Sequence, residues 1–197
     1  MAVWAIALAW SGWHPYDRLT WLMEVLPVLI AAPLLIATRR AFPFTRLAYA
    51  LIAAHGLVLI VGGAYTYARV PAGLEVQAWL DLARNPYDRL GHLAQGFVPA
   101  IVARELLLRR FGLQRGRLLG FLVVCVCLAI SASYELIEWA AALAFGQGAD
   151  QFLGTQGDPW DTQWDMFMAL VGAAGALALL SGVHDRQLRR MPGRHVE

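Results

Sequence analysis

Residues 118–143 read LLGFLVVCVCLAISASYELIEWAAAL, an apolar run long enough to cross the hydrocarbon core of a membrane as one helix. Two carboxylates, Glu135 and Glu138, lie three residues apart inside this run. A carboxylate at membrane depth is costly unless it faces a protected cavity that holds a partner for it. The stretch therefore predicts a membrane helix and a candidate functional site within it.

Four further apolar blocks have the length of a membrane span, at residues 19–38, 47–63, 90–108 and 165–183. A shorter N-terminal block, residues 2–13, adds a sixth span if tilt and its flanking tryptophans accommodate it. The chain is 59% hydrophobic, and no linker separates two folded units. The sequence predicts an all-α, polytopic helical bundle of five to six transmembrane helices, which forms a single integral membrane domain over residues 1–197.

The basic residues orient this bundle. All sixteen are arginine, and most follow the 19–38, 90–108 and 165–183 blocks. Loops rich in arginine stay on the cytoplasmic side, so we expect a multi-pass protein of the bacterial inner membrane with both termini in the cytoplasm. The positions of the positive charges indicate how the helices are oriented in the membrane, and they do not indicate a nucleic-acid partner.

The same topology collects acidic residues near the extracytoplasmic ends of the helices. These residues are Asp17, Glu75, Asp81, Asp88, Glu135, Glu138, Asp150, Asp158, Asp161 and Asp165. We expect the members of this set that lie on helices to meet in one pocket near the membrane surface.

Asp88, His92 and Gln95 are spaced i, i+4 and i+7, which places them on one face of a helix. A carboxylate one turn before an imidazole binds a metal with it or fixes the tautomer of a catalytic histidine. The alternative is a helix cap at Asp88 beside a polar interfacial histidine.

Asp158, Asp161 and Asp165 are similarly spaced at the beginning of the last block. Capping and the helix dipole explain Asp158 well, with Pro159 in the first turn. They explain Asp165 less well, because it lies further along the helix toward membrane depth.

These groups together predict a divalent metal site of unknown metal identity, since carboxylate oxygens and imidazole are ligands for such ions. The predicted ligands are Asp88, His92, Glu135, Glu138, Asp161 and Asp165, and the predicted catalytic residues are His92, Glu135 and Glu138. Arg18, Arg89 and Gln95 are predicted to bind substrate. The two arginines offer an alternative to a metal, because they can neutralise the carboxylates directly.

Other polar residues fit structural roles. His55 fits a hydrogen-bonded core histidine, and Arg104 with Glu105 fits a structural charge pair. His14, His184 and His195 fit solvated or interfacial positions. Cys125 and Cys127 fit free thiols, because two residues this close on a helix cannot bond to each other.

The chain resembles the YjdF-like bacterial inner-membrane proteins, a family without an established activity. The resemblance lies in residues 15–21, 62–71, 84–92, 134–139 and 153–166, and so extends over nearly the whole chain. A weaker similarity to VanZ-like membrane proteins rests on an aspartate near a histidine, a later glutamate and then spaced aspartates. That similarity implies a role in the cell envelope only by analogy.

Three functions fit these observations. The first is a metal-dependent hydrolase or transferase that acts on an envelope or lipid-linked, amphipathic substrate at the extracytoplasmic face. The second is a proton- or cation-coupled transporter, which requires polar residues that continue to the cytoplasmic side. The third is a non-catalytic membrane scaffold whose carboxylates are satisfied by arginine. Membrane lipids are the expected surroundings in all three cases.

Overall fold

A computed structural model describes residues 2–146 and 155–191, and every regular element within these ranges is helical. The helices are α1 (Ala2–Trp13), α2 (Arg18–Thr38), α3 (Arg46–Tyr65), α4 (Pro71–Trp79), α5 (Tyr87–Arg109), α6 (Arg117–Phe145) and α7 (Asp161–Arg189). A single 3₁₀ turn, Tyr67–Arg69, lies between α3 and α4. The predicted all-α membrane bundle is confirmed. Asp150 and His195, which were named above, lie outside the described residues.

Four helices, α2, α3, α6 and α7, are long and apolar enough to cross a membrane. Helix α5 has 23 residues, or about 34 Å at 1.5 Å per residue, but it is less apolar because it carries buried polar groups. It packs against α3, α6 and α7 in the middle of the bundle, where those groups are shielded from lipid. Helix α1 has 12 residues and packs on α3.

The helices alternate in direction, so two ends of the bundle can be defined. The site end contains the beginnings of α2, α5 and α7 and the ends of α3 and α6. The arginine end contains the opposite termini, with Arg39, Arg40, Arg46, Arg109, Arg110, Arg115, Arg117, Arg186 and Arg189. This distribution supports the prediction that the arginine end faces the cytoplasm.

Helices α5 and α7 make the closest contact in the fold, and glycine permits it. A Cβ atom added to Gly96 would lie 1.9 Å from the carbonyl oxygen of Ala169, and one added to Gly172 would lie 2.1 Å from that of Leu93. Small residues let helix backbones approach closely in membranes. This close packing brings together the two helices that carry most of the site.

We expect Gly172→Ala to lower the free energy of unfolding by about 1–3 kcal/mol, because the added methyl group forces two backbones apart. Gly182→Ala, on the same helix, is the matched control, since its added Cβ meets nothing within 4 Å. Thermal unfolding in detergent measures both variants. Equal unfolding temperatures for the two variants would show that this contact is not tight in the membrane protein.

The arginine end holds a buried polar network that differs from the prediction. Arg104 donates to Asp185 at 2.8 Å, whereas Glu105 accepts from Arg109 at 2.5 Å and lies 3.0 Å from Nε2 of His184. The predicted Arg104–Glu105 pair is wrong, because adjacent helix residues do not face each other. The solvated position predicted for His184 is also wrong, since this side chain is fully buried between the two.

Candidate functional site

Three helices bring the predicted side chains together at the site end. Helix α5 contributes Asp88 and His92 from its first two turns, α7 contributes Asp161 and Asp165, and α6 contributes Glu135. These five side chains are buried, with at most 8% of each residue exposed. Glu138, one turn further along α6, is half-buried beside them. The expected convergence of acidic groups that are distant in the sequence is therefore present.

The segment before α5 is held by Asn85, which is fully buried. Its side-chain amide donates to the carbonyl oxygens of Ala68 and Val70 at 3.2 and 3.1 Å, and its Oδ1 accepts from the N–H of Tyr87 at 3.0 Å. Its backbone exchanges two hydrogen bonds with the side chain of Gln156, just before α7. These bonds fix the start of α5 relative to the start of α7.

Arg84 lies in this fixed segment and joins α5 to α7. Its buried guanidinium donates to Asp88 at 2.9 Å and to Asp161, and it also donates to the carbonyl oxygen of Thr155 at 3.2 Å. Burial by itself lowers the pKa of Arg84, but the hydrogen bond to Asp161 and the charges of Asp161 and Asp88 raise it above its ordinary value. Arg84 is therefore a fixed cation at the wall of the site.

The sequence did not single out Arg84 as the arginine that neutralises the cluster. That role was offered to Arg18 and Arg89. Arg18 is exposed and has no ion pair within the described part of the chain. Arg89 pairs with Asp158 at 3.0 Å and lies 5.1 Å from the ring centre of Trp164, at the edge of the site. Arg84 lies in the irregular segment before α5, so helix spacing gave no signal for it.

His92 lies at the centre of the remaining carboxylates. Its Nε2 is 3.6 Å from Oδ1 of Asp88 and 3.8 Å from Oδ2 of Asp165, and its Nδ1 is 3.9 Å from Oε1 of Glu135. All three separations are too long for hydrogen bonds. Nδ1 of His92, Oε1 of Glu135 and Oδ1 of Asp165 are buried without a hydrogen-bond partner among the described residues. The site therefore contains several buried polar atoms whose hydrogen bonds are not satisfied by the described residues, which is unusual in a folded interior.

Two groups of these side chains have ligand atoms close enough to hold one metal ion. The first is Asp88, His92 and Asp165, and the second is His92, Glu135 and Glu138. Within each group the ligand atoms lie within 4.8 Å of one another. Asp161, which Arg84 engages, belongs to neither group. A cation bound to one group would reduce the repulsion between its carboxylates, which Arg84 offsets only at Asp88.

Sequence reasoning missed Glu24 of α2, which is 3% exposed. This carboxylate makes a hydrogen bond with Tyr67, while its Oε2 has no partner among the described residues. Burial first and then the charge of Glu24 raise the pKa of Tyr67 well above its usual value. The signal was present in the sequence, because Glu24 is the only charged residue inside the 19–38 block.

Gln95 and His55 lie below His92 on the side of a cavity inside the bundle. Oε1 of Gln95 and Nε2 of His55 are buried and have no hydrogen-bond partner in the described ranges. The hydrogen bond predicted for His55 is therefore missing at this atom.

Comparison with known proteins gives one family and one close relative. Residues 1–186 match the model of a family described as "Predicted membrane protein (DUF2238)". The chain is 60% identical to the "Inner membrane protein YjdF" of Escherichia coli (strain K12) over 185 residues, which cover 94% of this chain and 88% of that protein. No solved structure matches the chain.

Proposed function

The chain belongs to the DUF2238 family of predicted membrane proteins, and we propose that it is a membrane-embedded, metal-dependent hydrolase or transferase of an envelope or lipid-linked substrate. Its resemblance to YjdF-like inner-membrane proteins is confirmed by the relative from Escherichia coli, whereas these matches do not extend to the VanZ-like proteins. That relative and the four apolar helices make the chain a bacterial inner-membrane protein. The cytoplasmic position of both termini stays a prediction.

One observation carries the proposal, namely the position of His92 among buried carboxylates, two of which, Glu135 and Asp165, have an oxygen without a hydrogen-bond partner among the described residues. An unpaired carboxylate inside a protein is costly, and several of them repel one another. Arg84 forms ion pairs with Asp88 and Asp161, but it forms none with Asp165 or Glu135. A divalent cation held by Asp88, His92 and Asp165 would satisfy the carboxylate of Asp165, and it suits a mixed set of carboxylate and imidazole ligands. Glu135 would then pair with Nδ1 of His92.

The two ring nitrogens of His92 support different roles for the surrounding carboxylates. Because Nε2 of His92 faces Asp88 and Asp165, we assign Asp88, His92 and Asp165 as the metal ligands. Because Nδ1 of His92 faces Glu135, we assign Glu135 as the carboxylate that accepts a hydrogen bond from this nitrogen and so orients the ring. This arrangement of carboxylate, histidine and metal is common in metalloproteins, where it fixes the tautomer of the ligand.

We assign Glu138 as the general base. It is half-buried, and it lies within 4.8 Å of His92 and Glu135. A bound divalent ion would polarise a phosphoryl or carbonyl oxygen and lower the pKa of a water molecule. Glu138 would then accept the proton of that water, while Arg89 at the edge of the site would steady an anionic group of the substrate.

The transporter alternative requires polar residues along the whole length of the bundle. His92 and Arg104 are twelve residues apart on α5, or about 18 Å. The buried residues of α5 between them are Gly96, Val98, Ala100, Ile101 and Ala103. These residues carry no polar side chain, so the described part of α5 does not connect the two ends for a proton or cation.

The scaffold alternative has one observation in its favour. Arg84 and Arg89 pair with Asp88, Asp161 and Asp158, as a site that serves only stability requires. The same arginines leave Glu135 and Asp165 with unpartnered oxygens. We therefore rank the scaffold second.

Metal titration of the purified protein tests the proposal. We expect wild-type protein in detergent, freed of metal by a chelator, to bind Mn²⁺ or Zn²⁺ in isothermal titration calorimetry. Asp165→Asn should weaken that binding by more than about a hundredfold, because it removes a charged ligand, whereas the loss of an outer partner costs about 10–100-fold. Asp81→Asn is the matched control, since Asp81 is exposed outside the site. Absence of binding to folded wild-type protein, or equal affinities in both variants, would contradict the metal site.

A further inference from the structure

A cavity of about 430 Å³ lies inside the bundle below His92. Its walls are formed mainly by one face each of α2, α3 and α5, and two residues of α6, Trp4 of α1, Phe44 and Tyr67 complete them. The lining residues of α5 run from Gly91 to Val102, which corresponds to about 16 Å along the helix. This length is roughly half of the 30 Å hydrocarbon thickness of a bilayer. The cavity is therefore elongated along the membrane normal.

The cavity has one polar end and an apolar remainder. His92, Gln95 and His55 lie at the polar end, where Oε1 of Gln95 and Nε2 of His55 are buried without a hydrogen-bond partner among the described residues. Below them the walls consist mainly of aliphatic side chains, such as those of Val28 and Val98. His92 also belongs to the candidate metal site, so the cavity is continuous with that site.

The cavity borders the lipid-facing surface on the side of α2 and α6. Two of its wall residues, Leu34 of α2 and Ile130 of α6, are 57% and 39% exposed on membrane-spanning helices. Near the site end, Oη of Tyr134 donates to the carbonyl oxygen of Met23 at 3.1 Å and joins the two helices above these wall residues. A molecule can thus reach the cavity sideways from the bilayer without passing the charged residues.

We propose that this cavity binds the hydrocarbon chain of a lipid substrate, whose polar group then lies beside His92, Gln95 and His55. A chain of this kind fits both the volume and the apolar walls, whereas a helix of a second protein, about 10 Å across, is too wide. Water alone is a poor occupant, because most of the wall offers it no polar partner. The inference rests on the proposed function and adds its substrate class.

Photolabelling in nanodiscs tests this inference. The probe is a phosphatidylethanolamine with a diazirine on its acyl chain, mixed into phosphatidylethanolamine and phosphatidylglycerol, and adducts are located by mass spectrometry. We expect adducts on the cavity walls of α2 and α5. Ala31→Trp should reduce them by roughly fivefold or more, because the indole ring fills space that the chain needs. Val102→Trp, from the opposite wall, should do the same.

Leu179→Trp is the matched control, because Leu179 is 72% exposed on α7 and does not line the cavity. Its labelling pattern should equal that of the wild type. Labelling of the cavity that both tryptophan variants leave unchanged, while they stay folded, overturns the inference. Mn²⁺ binding is measured on the same nanodiscs: ion binding without cavity labelling overturns the inference alone, whereas cavity labelling without ion binding overturns the metal-dependent function.

Discussion

Replacing His92 by alanine is expected to weaken divalent-metal binding by roughly a thousandfold, which corresponds to about 4 kcal/mol. His92 supplies the only nitrogen in either candidate ligand group, and it is the one residue that the two groups share. Its removal also leaves Asp88 and Asp165 facing each other without the ring between them. Isothermal titration calorimetry with Mn²⁺ and Zn²⁺ measures the change.

His14→Ala is the matched control, since His14 is an exposed histidine at the site end. It should bind the ion as tightly as the wild type. If His92→Ala folds and retains the wild-type affinity, the assignment of His92 as a ligand is wrong, and the carboxylates of the site must be satisfied in another way.

Glu135→Gln separates the two roles assigned around His92. A carboxylate that orients a ligand contributes less than the ligand itself, so we expect a loss of about 10–100-fold in metal affinity. If Glu135 were a direct ligand instead, the loss would match that of Asp165→Asn or exceed it. The order of the metal affinities of the His92→Ala, Asp165→Asn and Glu135→Gln variants therefore decides between two ligand groups. One is Asp88, His92 and Asp165, and the other is His92, Glu135 and Glu138.

The fold was predictable from the sequence because the membrane imposes it. Backbone groups in lipid must be satisfied within a helix, so a long apolar block has one available structure. The blocks at 118–143 and 165–183 correspond to α6 and α7; α6 extends beyond its block by one and two residues, whereas α7 extends beyond its block by four residues at its start and six at its end. Helix α5 lies deepest among its neighbours, and its buried polar groups make it the least apolar of the five long helices.

The convergence of the site was predictable for a related reason. Alternation of direction places the starts of α5 and α7 and the end of α6 at the same end of the bundle. Asp88, Glu135 and Asp165 could therefore be assigned to one neighbourhood from their distances to the helix ends. Which oxygens face which ring nitrogen was not predictable, because it depends on the rotation of each helix about its axis.

Arg84 and His184 show what the sequence could not supply. Arg84 lies in the irregular segment before α5, where no periodicity reveals the direction of a side chain. Its position depends on the hydrogen bonds of Asn85, which join parts of the chain about 70 residues apart. His184 lies beyond the predicted 165–183 block, so it was assigned to solvent, but α7 continues to Arg189 and buries it.

Glu105→Gln is expected to lower the free energy of unfolding by about 3–5 kcal/mol, because it breaks a buried ionic network. The carboxylate of Glu105 is fully buried and accepts from Arg109, from the N–H of Thr45 at 3.0 Å and from its hydroxyl at 2.7 Å. It also lies 3.0 Å from Nε2 of His184. An amide nitrogen in place of one oxygen would face these donors with a donor of its own.

Glu75→Gln is the matched control, since Glu75 is exposed on α4 and should change stability by less than about 0.5 kcal/mol. Thermal unfolding in detergent compares the two variants.

The network joins the start of α3, the end of α5 and the end of α7, so the loss of Glu105 should loosen all three helices at the arginine end. The metal site lies about 18 Å or more away along α5, so Glu105→Gln protein that remains folded should bind Mn²⁺ with wild-type affinity. A stable Glu105→Gln variant would mean that the network contributes little to the fold. A folded Glu105→Gln variant with weakened Mn²⁺ binding would mean that the two ends of the bundle are coupled.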